Sequence, residues 1–435
     1  MNKPVFFLSL YLVSACALAQ VAAQRDYDID LRLGVNAIYN DNANFSDEND
    51  PEAEEPLGEL QFLYELALAT QVQREWTQVD LGYSASLREF REDSQSEQEL
   101  WNGNGRITLG NEDFPLEFSL FHSVNEVVRS AANPEDQDDT QRQQRFEATI
   151  DARVFELERD TLNLVATYGE NEADRLPLNN TEEVDIGLSW QHSLSSISDL
   201  TLDYLYSDID FEFSDQADFR THTGSVSLVR RLRQLRWGIT LGYTQVEPNI
   251  GDNYSEPTYG LDLALELQRH TFQLNVAGEI TDSAELNNLN NPIVQADDLL
   301  VDAGGQDQVL NRQISATWTY GFCSRCLLRT NLIHNDNEFQ NLENNDFSNQ
   351  ILNASLNYNV NRRVAAIVGY RSNKIRYDAD TNFVGVTRGV TSLTLAYEII
   401  TDMQAQVFVE REDWENDAGD QYIANAYGIG LSYTW

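Results

Sequence analysis

QYIANAYGIGLSYTW, running from Gln421 to Trp435, is the stretch whose reading decides the fold class. Its odd positions carry Ile423, Tyr427, Ile429, Leu431, Tyr433 and Trp435, and its even ones Ala424, Ala426, Gly428, Gly430, Ser432 and Thr434. A period of two places one set on each side of a strand, so one face is apolar and the other small and polar. Such a strand suits a soluble sandwich or the closing strand of an outer-membrane barrel. In barrels an aromatic-terminated last strand is the assembly signal, which assigns that role to Tyr433 and Trp435 and makes the barrel-assembly machinery an expected partner.

The rest of the chain chooses between the two. Ile29, Leu31, Leu33, Val35, Ala37 and Tyr39 alternate with Asp28, Asp30, Arg32, Gly34 and Asn36. Phe146, Ala148, Ile150, Ala152 and Val154 alternate with Arg145, Glu147, Thr149, Asp151 and Arg153, and the same rhythm recurs to the end. Connections alternate as well. Long acidic segments such as 40–56, 126–142 and 282–308 follow odd strands, and short ones such as Gly110–Asp113 and Ile400–Asp402 follow even strands. A sandwich gives no reason for this, whereas a barrel has long outer loops and short periplasmic turns. The expectation is an all-β, transmembrane, antiparallel up-and-down β-barrel of the bacterial outer membrane, with about 20 strands (18–20) and both termini periplasmic. Few inward aromatics are expected, Phe121 and Phe408 being the exceptions.

Composition agrees. Mean hydropathy is -0.46, and past the first twenty residues no apolar run is long enough for a membrane helix. In a barrel every second residue faces water, so averaging hides the membrane segments. Lys3, the apolar run Val5 to Leu12 and the small residues Ala17–Ala19 or Val21–Ala23 read as a secretory signal. The expected organisation is a signal peptide over 1–23 and one barrel domain over 24–435. Val13-Ser14-Ala15-Cys16 also reads as a lipobox, with Cys16 as the lipidated residue. The formal charge of -42 excludes nucleic acid as a partner, since phosphate needs the opposite sign.

Two ends of the chain carry a resemblance. LGVNAIYNDNANFS (Leu33–Ser46) runs into a Tyr-x-Asp-Asn turn at Tyr39, Asp41 and Asn42, and the last strand closes on Gly430, Tyr433 and Trp435. These resemble a family of outer-membrane beta-barrel porins found beside exopolysaccharide and exosortase-type (PEP-CTERM) protein-sorting loci. The resemblance implies a role in export or surface handling of polysaccharide or sorted proteins, with polysaccharide as a possible partner and no catalytic residues.

Candidate sites are few. Cys323 and Cys326 form a CSRC at an expected periplasmic turn; in an oxidising compartment the pair reads as a disulfide, zinc would need two more ligands, and a redox motif would need a helix start. The inward face is expected to carry Arg32, Arg88, Arg106, Arg145, Arg153, Arg236, Arg329, Arg363, Arg371 and Arg388. It also carries Asp80, Glu117, Glu147, Asp151, Glu183, Asp185, Asp262, Glu266, Glu279 and Glu398. Such charges either set ion selectivity across a lumen or pair between neighbouring strands. His122 is expected on the lipid face, with no serine placed beside it as in barrel phospholipases, and His334 with Asp336 only faintly suggests a surface protease. Arg230, Arg231, Arg233 and Arg236 cluster at a periplasmic turn. No cofactor or metal is expected. The acidic runs 47–55, 133–139 and 295–302 could bridge through divalent cations to lipopolysaccharide, and 282–308, with Leu299, Leu300 and Val301, could fold into the mouth as a plug. The chain reads as a porin-like channel for polysaccharide or other polar solutes or, alternatively, as a plugged assembly partner of a secretion locus.

Overall fold

The computed structural model describes residues 28–43, 46, 55–91, 98–111, 114–128, 140–174, 180–212, 217–282, 307–340, 346–377 and 384–435. The signal segment, all but Glu55 of the acidic run 47–55, the whole of the other two runs, and most of 282–308 lie outside the described residues. Twenty strands follow one another. They are β1 (Asp28–Asn40), β2 (Glu59–Gln73), β3 (Thr77–Phe90), β4 (Gln98–Leu109), β5 (Leu116–Val128), β6 (Thr140–Glu156), β7 (Asp160–Ala173), β8 (Thr181–Ser195), β9 (Ser198–Phe211) and β10 (Phe219–Arg231). The second half comprises β11 (Leu235–Pro248), β12 (Tyr254–Glu266), β13 (His270–Asp282), β14 (Gln308–Cys323), β15 (Cys326–Phe339), β16 (Phe347–Asn359), β17 (Val364–Tyr377), β18 (Val386–Ile400), β19 (Met403–Asn416) and β20 (Gln421–Thr434).

Each strand pairs antiparallel with the next, and β1 pairs with β20, so the sheet closes and leaves no edge. In lipid this closure satisfies the backbone of every spanning segment. Turns on the even side are local. Asn361 Oδ1, for instance, accepts the backbone N–H of Arg363 at 2.8 Å and of Val364 at 3.0 Å. Following the register once round returns to β1 shifted by about 26 residues. With twenty strands that stagger gives a tilt of roughly 42° and a backbone diameter of about 40 Å.

Apart from a few such as Leu205 and Leu327, exposed large apolar residues fall on one parity of each strand. Val35, Tyr64, Ile150, Ile186, Leu241, Ile314, Val368, Leu395, Val407 and Ile429 are examples. This is the lipid face. On β20 it runs from Trp435 to Tyr427, eight residues and so about 20 Å of height at this tilt, close to the apolar belt of a membrane barrel. Rings concentrate at the periplasmic margin, where Tyr320 stacks on His270 at 4.3 Å and on Trp318 at 5.7 Å, and Tyr433 meets Trp435 edge-on at 4.5 Å. The closed sheet, polar inner wall and outer apolar belt make this an outer-membrane barrel.

The strands reach further outward than alternation alone suggests. β5 continues to Val128, β15 to Phe339, β17 to Tyr377 and β19 to Asn416. Above the belt the amphipathic phase inverts. Ile209, Phe211, Val246, Ile333, Phe339, Ile375 and Trp414 turn inward and are buried, while Asp208, Asp210, Glu247, Asp336, Glu338, Lys374 and Asp413 take the outer face. Both outcomes have one cause. Once a strand leaves lipid, its outer face meets water, and apolar groups gain only by turning in. The expectation of few inward aromatics is therefore corrected at the rim, where Phe211, Phe219, Phe339, Phe347, Trp414 and Tyr422 all face inward.

Candidate conduction lumen

The register fixes the inner face. Arg32, Arg88, Arg106, Arg145, Arg153, Arg236, Arg329, Arg371 and Arg388 lie on the parity opposite the apolar belt, with Arg363 in the turn before β17. Asp80, Glu117, Glu147, Asp151, Glu183, Asp185, Asp262, Glu266, Glu279 and Glu398 share that face.

These charges fall into two groups. Toward the extracellular side several are paired. Arg145 Nε donates to Glu147 at 2.5 Å, with its Nη2 3.8 Å from Glu183. Arg388 Nε donates to Glu412 at 2.7 Å, and that carboxylate also accepts the Tyr422 hydroxyl at 2.8 Å. Toward the periplasm, Arg32, Arg106, Arg236, Arg329 and Arg363 are exposed, and no carboxylate among the described residues lies within ion-pair distance of them. Arg106 instead sits over the ring of Phe121 at 5.3 Å, a cation–π contact. Asp262 accepts Asn275 Nδ2 at 2.8 Å.

Opposite walls differ. On β5 to β8 the inner face holds Glu117, Glu147, Asp151, Glu183 and Asp185, with Arg145 and Arg153. Half the circumference away, β14 to β17 carry no inward carboxylate among the described residues. Their charges are Arg329 and Arg371, and asparagines fill much of the remainder. Asn311 faces Asn337, Asn331 faces Asn353, and Asn335 faces Asn349 across neighbouring strands. Asn311, Asn331, Asn335, Asn337 and Asn349 are buried, and each has one amide atom with no hydrogen-bond partner. The wall is thus rich in amides that can both donate and accept.

Asp41 and Asn42, marked in the sequence only as part of a turn motif, tie the closure. Asp41 accepts the Asn425 backbone N–H at 2.7 Å and its Nδ2 at 2.9 Å. Asn42 donates to the Ile423 carbonyl at 3.1 Å and accepts Ser46 N–H at 2.9 Å. The Trp435 N–H reaches the Leu31 carbonyl at 2.9 Å. Asp-Asn after a strand that meets the last one was the available signal.

Cys323 and Cys326 are disulfide-bonded across the β14–β15 turn, with a Cα separation of 4.9 Å. Arg231 of the basic turn cluster donates to Asp199. All five histidines lie on the outer parity. His122 Nδ1 meets the Tyr83 hydroxyl at 2.8 Å, and Asp336 faces Arg312 at 3.4 Å and not His334. Above the belt, Glu170, Glu182 and Asp210 stand opposite one another on adjacent strands. Desolvation, followed by the neighbouring carboxylates, raises the pKa of Glu170 and Asp210.

No protein-family model matches this chain, and no curated protein does. Among solved structures it is similar to the siderophore receptor PirA from Pseudomonas aeruginosa, at 11% identity and a TM-score of 0.48, over 94% of this chain and 80% of that one. It is also similar to the FrpB iron transporter from Neisseria meningitidis, at 9% identity and 0.44, over 94% and 82%. The copper transporter OprC gives 9% and 0.45, over 95% and 81%. At these scores the likeness lends no solute to this chain, and the twenty-strand closure stands on the chain's own register.

Proposed function

We propose that the chain forms a channel for polar solutes across the outer membrane, narrowed at its extracellular mouth. The observation that carries this reading is the width of the lumen against the length of its wall residues. Across about 40 Å of backbone diameter, side chains from the wall cannot meet and fill the space. Below the rim that wall is polar, with a carboxylate-rich side facing an amide and arginine side, and such a transverse arrangement orients polar or charged solutes. Single-channel recording in a planar bilayer tests it, on the intact protein and on a variant lacking 283–306. A stable open conductance in either supports a pore, and silence in both refutes it.

The finer reading is passage of a neutral or anionic polysaccharide. Amides that both donate and accept, beside arginines, suit hydroxyls and carboxylates, and the resemblance at the two chain ends points the same way. Reversible current block by soluble alginate supports this reading, and block by small ions alone speaks against it. A second reading, a plugged assembly partner of a polysaccharide or protein-sorting system, takes its support from the rim. There the inner wall is an apolar core of Val309, Phe339, Phe347, Ile375, Trp414 and Tyr422, as in a soluble barrel head.

A further inference from the structure

We propose that the seam between β4 and β5 is a lateral portal, through which a single-chain amphiphile passes between the lumen and the outer leaflet. β4 pairs with β3 through twelve residue pairs, and β5 with β6 through thirteen. Between β4 and β5 only seven form, from Gly103↔Val124 to Leu109↔Phe118. Above them Gln98–Asn102 stay paired with β3 and Asn125–Val128 with β6, but the two segments make no ladder with each other. β12 and β13 also part near their outer ends, but there the strand that leaves its partner carries Pro257, which has no N–H to donate. No proline lies in either β4 or β5 strand segment.

Side chains bridge the split in place of backbone. Asn102 Oδ1 accepts the Glu126 N–H at 3.1 Å, and the Glu126 carboxylate accepts the Trp101 N–H and Arg142 Nε at 3.1 Å. At the lower lip, Tyr83 on β3 reaches over β4 to His122 on β5 at 2.8 Å. Gly103 and Gly105 make the room, since a Cβ at Gly105 would lie 2.6 Å from Leu81 and 2.9 Å from the Tyr83 hydroxyl. The split is thus held by few side-chain bonds, each separable without breaking a ladder.

The two sides of the seam state the chemistry of the passenger. Facing the lumen at the lip are Asn104, exposed, and Ser123, buried, whose hydroxyl has no partner. These suit a small polar head. On the membrane side below the lip, the seam is apolar through Leu120 and Phe118. Toward the periplasmic margin it runs out into an open groove beside Trp76, Thr77, Phe114, Leu116 and Glu117. From Val124 to Leu120 is about 14 Å along the strand, the outer half of the belt and enough for the tail of a dodecanoate with its head at the split.

Spin labels on Glu99→Cys and Gln144→Cys, outward on β4 and β6, report the width of the seam. The full-length double variant is studied in lipid nanodiscs by pulsed dipolar spectroscopy, with heat-modifiable gel mobility confirming that every variant is folded. The expected result is two distance populations, the wider one rising with added dodecanoate. Tyr83→Phe removes one hydrogen bond and should raise the wide-to-narrow ratio about 2- to 10-fold. A single narrow distance, unmoved by dodecanoate and by Tyr83→Phe, overturns the proposal. Two populations that ignore dodecanoate but respond to Tyr83→Phe overturn the assignment of the passenger. Neither outcome depends on whether the lumen conducts ions.

Discussion

Gly103 on β4 and Gly82 on β3 are diagonal neighbours, and an alanine at each should act in opposite directions. Gly103 has φ +151°, a conformation that residues with a Cβ rarely adopt. A Cβ built there runs into the carbonyl oxygen of Gly82 and lies 2.6 Å from Tyr83 Cα. Both obstacles are backbone and cannot swing aside. Backbone strain costs about 1–3 kcal/mol, and overpacking against a fixed sheet adds about 1–3 kcal/mol, so Gly103→Ala should destabilise by about 2–4 kcal/mol once partial relaxation is allowed. Gly82 faces the lumen with nothing within 4 Å of its would-be Cβ. Gly82→Ala loses only unfolded-state freedom and should be neutral or stabilising by up to about 1 kcal/mol. Urea unfolding in lipid vesicles, followed by tryptophan fluorescence, compares the two, since Trp101 neighbours the site. Equal midpoints for Gly103→Ala and wild type, or equal damage from both alanines, would refute the reasoning about the seam.

Four further outcomes follow from the same geometry. Replacing Cys323 and Cys326 by serine opens a loop of four residues, and chain entropy puts the loss at about 2 kcal/mol, read as a lower urea midpoint with unchanged conductance. Arg329→Glu reverses one exposed charge on the amide wall; at about 10 Å in water each unit charge is worth about 0.4 kcal/mol, so after salt screening the anion-to-cation permeability ratio should fall about 2-fold in bi-ionic reversal-potential measurements. Asp41→Ala removes a carboxylate that accepts two N–H groups of Asn425 and should cost about 2–3 kcal/mol, seen as fraying of β1 and β20 in hydrogen exchange. Tyr254, at the rim, donates to Gln308 at 2.9 Å. Desolvation first, then Asp307 and Glu256, raise its pKa above the ordinary value of 10.0, so its stabilising contribution is complete below about pH 10 and is lost as the pH climbs beyond. Unfolding titrations of wild type against Tyr254→Phe should diverge at neutral pH and converge in alkali.

How much of this could be read from the chain depends on height along each strand. In the belt one face meets lipid and the other water, so Leu261, Leu263 and Leu265 against Asp262, Ala264 and Glu266 declare both the strand and its inner face. The periplasmic turns are equally plain, because a two-residue gap such as 324–325 admits only a hairpin. The lumen's cross-wall polarity was half legible. Parity names the inward residues, but only the strand order puts Glu147 and Arg329 on opposite sides, and only coordinates show Arg145 paired and Arg329 exposed. The seam was not legible at all, since Gln98–Asn102 looks like any other strand end.

The rim shows why the alternation signal failed where it did, and the failure is informative. At Leu332–Ile333 and at Ile351–Leu352 two apolar residues stand in succession, which a strict period of two forbids. Each pair marks the height at which the apolar face changes sides, with Leu332 and Leu352 toward lipid and Ile333 and Ile351 buried inside. From Ile333 to Phe339 the strand climbs about 15 Å beyond that point, with Asp336 and Glu338 outside and Asn335, Asn337 and Phe339 within. A wide pore open to water along its whole length would gain nothing by turning phenylalanine and tryptophan inward at its mouth. The inversion therefore gives the mouth an inner wall with two apolar patches, one over β14 to β20 and one over β9 to β11, above a lumen whose wall is polar.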